Sequence, residues 1–406
     1  MRKGLSKRKK CKVLFIFAFF IFFALSFSVP MFYAMADVGS IAESEDVIAW
    51  EELEKNIFEQ LENLDLKELQ AYVNSLGGSV DGDIIQRLLG YIGGEGIDYK
   101  ELTQNLLHIF LESVQSLLPA FACIISISLT SGLLSTVRSN VSEKTSADMI
   151  HLITYISALV PILSIVIECF SACVRSVTAM SKQTLLLFPP MLTLLSASGG
   201  SVTAAICRPA VAFFVSTIIS IVQAVVFPLT VVIIVFSIAG NLTNQLKINK
   251  FTGFFKSINK WIIGVCLSVF GIFFTVQGIT SATYDGVVRR AAKYAIGNGV
   301  PIVGGFLSGG FDLAVAGSIL VKNALGTMGL VLLMAVLFEP MALLISVNVL
   351  MRLAAAVTQP FGDSKISDFL GETADNLQYC MAGLLLTAFL YFLSIVFIIC
   401  CTEAIL

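Results

Sequence analysis

Long apolar runs recur along this chain and limit its architecture more than any other feature. Leu117–Val137, Ile150–Val174, Val211–Ala239, Trp261–Ala282, Ala324–Met351 and Tyr379–Cys401 are each long enough to cross a bilayer's hydrocarbon layer, which takes about twenty helical residues. Backbone within lipid must satisfy its own hydrogen bonds, so these runs read as helices. Charged residues make up only 13% of the chain, where soluble domains carry about a quarter. That excludes an ordinary soluble globule and predicts an all-α, polytopic helical membrane protein.

Two further pieces are apolar but punctuated. Leu185–Ile206 holds Pro189 and Pro190 near its start and Gly199 and Gly200 further on. A double proline removes two backbone donors and kinks or breaks a helix. Asp285–Lys322 crowds Gly297, Gly299, Gly304, Gly305, Gly309 and Gly310 around Pro301, with Asp312 in its apolar second half. This stretch is either a broken or re-entrant segment, or a loop followed by one glycine-rich span. Counting both doubtful pieces either way gives six to eight membrane elements, some of them broken or re-entrant. Paired interrupted segments point to a transport site. The two halves show no self-similarity, so an inverted repeat is not supported. Val211–Ala239 exceeds one bilayer crossing, so Pro228 marks a kink or the helix continues past the membrane.

Charge divides the chain into regions. Residues 1–12 carry seven basic residues and no acid, and Val13–Val29 is an uncharged apolar run ahead of Ala34-Met35-Ala36. This is the layout of a signal peptide, residues 1–36, cleaved after Ala36; the alternative is an uncleaved anchor. Either way residue 37 onward lies outside. Residues 37–115 carry seventeen acidic against four basic residues. Trp50, Leu53, Ile57, Leu61 and Leu64 recur at helical spacing, and Asp65-x-x-Glu68 and Asp98-x-x-Glu101 mark helix starts. Gly77-Gly78 and Gly93-Gly94 separate the pieces. The region reads as an exported helical segment, lying on the membrane surface or docking an extracytoplasmic partner. Residues 116–406 form the membrane domain. Within it Asn241–Lys260 has four lysines and no acid beside Phe251, Phe254 and Phe255, a basic amphipathic stretch suited to membrane lipid on the cytoplasmic face. The only dense basic cluster is the N-terminus, so no nucleic-acid surface is expected.

Candidate chemistry is sparse. The chain lacks a phosphate-binding G-x-x-x-x-G-K-[ST], a G-x-S-x-G elbow and an H-E-x-x-H zinc motif, so no enzyme and no cofactor is expected. The cysteines lie in or beside apolar runs and read as buried hydrophobes. Two distant histidines leave Cys169 and Cys173 without partners for zinc. The intramembrane carboxyls Glu168, Asp312 and Glu339 are the chemical hints, because a charge in lipid faces a cavity or a partner. Asp312 and Glu339 are either pathway groups or structural hydrogen-bond partners, and Glu168 reads as interfacial. The candidate pathway or packing residues are therefore Pro189, Pro190, Gly199, Gly200, Gly304, Gly305, Asp312 and Glu339. Residues alone allow a complex subunit or an independent ion-coupled secondary transporter of a small solute.

The wording of several segments is more specific. RRAAKYAIGNGVPIVGG from Arg289, ILVKNALG from Ile319, TQPFGDS from Thr358 and FPPMLTLLSASGG from Phe188 resemble the stage III sporulation protein AE family. The resemblance implies a membrane component of the stage III A assembly, made in the mother cell of an endospore-forming bacterium and placed in the membrane around the forespore. It implies part of an export gate or conduit, working with other proteins of that assembly, a separate ATPase and a forespore-side partner, as an oligomer.

Overall fold

The computed structural model describes residues 47–64, 66–76, 83–92, 99–138, 144–200, 204–205, 213, 215–242, 249–299, 304–361 and 364–403. The expected signal peptide and its cleavage after Ala36 lie outside the described residues. Three short helices come first: α1 (Val47–Asn63), α2 (Lys67–Leu76) and α3 (Ile84–Ile92). Long ones follow: α4 (Tyr99–Arg138), α5 (Lys144–Ala197), α6 (Phe227–Leu242), α7 (Asn249–Gly299), α8 (Gly304–Phe361) and α9 (Ser364–Glu403). Among the described residues there is no strand. Six helices are long and apolar enough to cross a membrane, at Leu107–Thr130, Ile153–Ala197, Val215–Asn241, Lys250–Phe273, Leu313–Pro360 and Ile366–Cys400.

Both doubtful pieces are continuations of long helices. Leu185–Ile206 is not a separate span, because α5 runs through Pro161, Pro189 and Pro190 to Ala197. The two prolines remove only the donors that would meet Leu185 and Leu186, while Leu187, Phe188 and Met191 around them are buried in the core. Tertiary packing holds the helix where the local chain would let it go. The break comes instead at the glycines. Gly199 takes φ 97°, its N–H meets Ser196 O, and the Gly200 N–H reaches back to Leu195 O at 2.9 Å. This 6→1 and 5→2 pair is a Schellman cap, which needs a left-handed residue that glycine adopts without strain. In the second piece, Asp285–Gly299 belongs to α7 and Gly304–Lys322 to α8, on either side of residues 300–303, which lie outside the described residues. Pro228 likewise sits inside continuous helix. A π-helical turn, Val222–Val226, precedes it, with the Phe227 N–H on Val222 O.

The helices interlock through α8. It packs on α9, α5, α4, α1, α7 and α3. Contacts fix the directions. Ser176 pairs with Val336 and Gln183 with Leu332, so α5 and α8 run antiparallel. Arg352 pairs with Asp375 and Lys322 with Ile398, so α8 and α9 do too. Tyr155 against Phe369 and Phe188 against Tyr391 make α5 and α9 parallel. Tyr155 meets Ile238 and Thr178 meets Gln223, while Asn259 meets Thr230 and Phe255 meets Phe236. These pairs set α6 and the π-helical turn before it antiparallel to both α5 and α7. At 54 residues α5 is about 80 Å long, well beyond a hydrocarbon layer of about 30 Å. The surplus length carries α1–α3: Gln60 of α1 donates to Ala314 O of α8, and Lys182 of α5 stands 5.2 Å over the Tyr72 ring of α2. Leu53, Ile57, Leu61, Leu69, Val73, Ile84 and Leu88 thereby join the same apolar core as the long helices.

Candidate functional site: polar contacts inside the helical bundle

Lipid gives helices little hydrophobic reason to associate, so close packing and interhelical hydrogen bonds must hold them. The α8–α9 contact uses both. A Cβ added at Gly326 would lie 2.5 Å from Ile399 Cδ1, and one at Gly329 would lie 2.8 Å from Ile395 Cδ1 and 3.0 Å from Leu187 Cδ1. Glycine at these two positions lets α5, α8 and α9 meet. The same close approach opens α8 carbonyls to side chains. Tyr391 Oη donates to Gly329 O at 3.3 Å, Gln183 Nε2 to Leu332 O at 3.1 Å and Ser176 Oγ to Val336 O at 2.9 Å. Outside the spans, burial pushes the Tyr72 phenol above its ordinary range.

Lys322 is fully buried, and its ammonium donates to Ile399 O at 2.9 Å and Ile398 O at 3.1 Å. These carbonyls belong to the closing turns of α9, where the helix dipole is negative and a cation is favoured. The lysine therefore ties the start of α8 to the end of α9.

At the other end of α9, Glu372 accepts from the Ser237 hydroxyl and from Asn241 Nδ2 at 3.0 Å, both on α6. Tyr155 on α5 donates to Ile238 O at 3.1 Å beside this pair. Arg352 then joins α8 to α9, with Nη2 2.7 Å from Asp375 Oδ1 and Nε donating to Asn348 Oδ1. Both partners are about two-fifths exposed, so that ion pair contributes at most about 1 kcal/mol. Glu372 carries more structural weight because Ser237 is buried. Glu372→Leu strands the two donors and is expected to destabilise the fold by about 1–3 kcal/mol. Glu372→Gln keeps an acceptor and is expected to lose less than half of that. Thermal unfolding of the two variants in detergent compares them, and equal losses would remove Glu372 from this role.

The residues singled out from sequence do not converge on one place. Pro189 and Pro190 lie inside α5, with Thr193 donating to Pro189 O, and Gly199 and Gly200 form its cap. Gly304 and Gly305 open α8, and Asp312 lies in its second turn and a half without a described side-chain environment. Glu339 is exposed on α8, while Pro340 beside it is buried. Glu168 is exposed on α5. Asn348 joins α8 to α9 through Ala374 O at 2.7 Å, and Gln223 reaches Thr178 at 3.0 Å. Cys169, Cys173, Cys266 and Cys380 are buried and free. Among the described residues no cluster of histidine, cysteine or carboxylate side chains is arranged to hold a metal. Sequence reasoning missed Lys322 and Glu372. A lysine inside an apolar stretch was a usable signal for the first. Glu372 sits in a polar run after Ser364 that reads as surface.

Comparison with known proteins places these helices. The family described as Stage III sporulation protein AE matches residues 83–402, which include all six candidate spans. A stage III sporulation protein AE from Bacillus subtilis (strain 168) is 27% identical over 267 residues, 66% of this chain and 67% of the relative. No solved structure matches the chain.

Proposed function

The chain belongs to the stage III sporulation protein AE family, and from that membership we propose that it is the polytopic membrane component of a mother-cell-to-forespore transport complex, part of its export gate or conduit. The family match over residues 83–402 carries this reading. Charge supports a consistent placement. With residues 37–115 outside, six alternating spans put the lysine-rich Asn241–Lys260 stretch in the cytoplasm, as the positive-inside rule requires, and the end of α9 outside. The acidic α1–α3 then sit on the extracytoplasmic side, where other proteins of the assembly could meet them. The role is non-catalytic, and energy comes from a separate ATPase.

Purification from membranes of sporulating cells without crosslinker tests the proposal. The expected result is recovery with other stage III A proteins, the ATPase among them. Elution alone or only as a homo-oligomer would overturn complex membership and favour an independent transporter.

A further inference from the structure

The exposed face of α5 mixes apolar side chains, Ile153, Ile156, Val160, Ile167 and Leu185, with charges that lipid does not solvate. Glu168, Arg175 and Lys182 are all exposed, and they recur every seven residues. Seven residues return to the same helix face within about 20°, so the three charges form one stripe. Ser157, Ser164 and Thr178 are exposed along the same side, and Ser171 is partly so. Other helices show the opposite pattern. The outward face of α7 is Trp261, Val265, Val269, Ile272 and Val276, and that of α8 includes Val349 and Leu353.

Sliding the helix clears the stripe only if the crossing is Met149–Ile167, which has no charge in nineteen residues. That would bring Arg352 and Asp375, level with about residue 160 of α5, to the bilayer centre. A crossing takes about twenty residues. Between Ile153 and Ala197 no stretch that long avoids all three charges, because the longest charge-free intervals, 153–167 and 183–197, hold fifteen residues each. Lys182 also sets the depth. It stands over Tyr72 of the polar helix α2, which places that level at the water boundary. Arg175 and Glu168 then lie about 10 Å and 21 Å deeper along the axis. Glu339 adds an exposed carboxylate on a second helix at a similar depth. It is exposed on α8 and lies three residues beyond Val336, whose carbonyl takes the Ser176 hydrogen bond, so it is at nearly the depth of Arg175. Among the described residues none of Glu168, Arg175 and Glu339 makes an ion pair. Lipid cannot cover such a face at low cost.

We infer that the α5 stripe, with Glu339, bounds a water-filled passage, completed by further copies of this chain. Among the described residues the stripe is on the outside of the bundle, and the described helices of one chain do not close a passage around it. Rotational symmetry among copies would bring the stripes together as successive rings of Glu168, Arg175 and Lys182. A passage lined by rings of both signs and by hydroxyls suits a hydrated, polar cargo. The inference rests on the conduit reading above and assigns its wall.

The test uses the whole assembly in membranes of sporulating cells, with the native cysteines replaced. Ser164→Cys and Ser171→Cys are compared with Val269→Cys on α7 and Val349→Cys on α8. A charged, membrane-impermeant methanethiosulfonate should modify the two stripe positions at least tenfold faster than the two controls. Rates equal to the controls would overturn the passage. Bifunctional thiol reagents of graded length applied to Ser171→Cys should link two copies of the chain. Links only to a different protein, or none at any length, would overturn its completion by copies. An unreactive stripe in an assembly that still co-purifies removes this inference and leaves complex membership standing. A reactive stripe in a chain that purifies without partners does the reverse.

Discussion

Gly329→Leu is expected to remove most of the protein from the membrane fraction, with Gly329→Ala close to wild type. The difference follows from what surrounds the position. A single methyl at Gly329 meets Ile395 Cδ1 at 2.8 Å and Leu187 Cδ1 at 3.0 Å, both flexible side-chain ends that can turn aside. A leucine carries three more carbons into the same three-helix contact, where the Tyr391 hydroxyl lies 3.5 Å from the added Cβ. Overpacking of this kind costs about 1–3 kcal/mol when neighbours can shift. Here it would push α8 away from α5 and α9 together, and with them the hydrogen bonds of Gln183 and Tyr391 to α8 carbonyls. We expect a loss at the upper end of that range. Ile395→Ala in the same chain should recover part of it by emptying the volume the leucine needs. Protein level in membranes and thermal unfolding in detergent read both effects. A wild-type level and unfolding temperature for Gly329→Leu would mean that the helices are not this close.

Lys322→Glu is expected to be as damaging, and Lys322→Met mild. The position is fully buried, and Ile398 O and Ile399 O present lone pairs to whatever replaces the ammonium. A carboxylate there faces those two acceptors and stands at the negative end of the α9 dipole. Leaving a buried charge uncompensated costs about 3–5 kcal/mol. Methionine keeps the length and volume and removes both the hydrogen bonds and the desolvation cost of the charge. Such exchanges of a buried ion for an apolar isostere are often close to neutral, so a loss of about 1 kcal/mol is expected. Denaturant unfolding in detergent separates the two. Equal stability for glutamate and methionine would show that the ammonium does not hold the end of α9.

Much of this protein was legible without its fold. The apolar runs required membrane helices, and the spacing of Leu53, Ile57 and Leu61 marked α1. Asp98-x-x-Glu101 fell at the start of α4, and the glycine pairs after Leu76 and Ile92 fell at the ends of α2 and α3. The motifs around Pro189, Gly304, Lys322 and Pro360 were enough to point to the family. These are local signals, since helix periodicity, caps and short motifs are properties of a few neighbouring residues.

Tertiary structure decided the rest. Pro189-Pro190 looked like a break because the local cost of two missing donors was visible and the burial of Leu187, Phe188 and Met191 against other helices was not. Lys322 closed the glycine-rich stretch with no local sign of a partner, because the carbonyls that hold it lie 76 and 77 residues away. Glu372 depends on Ser237 and Asn241, more than 130 residues earlier. The heptad of Glu168, Arg175 and Lys182 was present in the sequence, but nothing local says which side of a membrane helix is covered. That choice is made by the helices packed against the other side, so only the assembled bundle shows three charges facing outward.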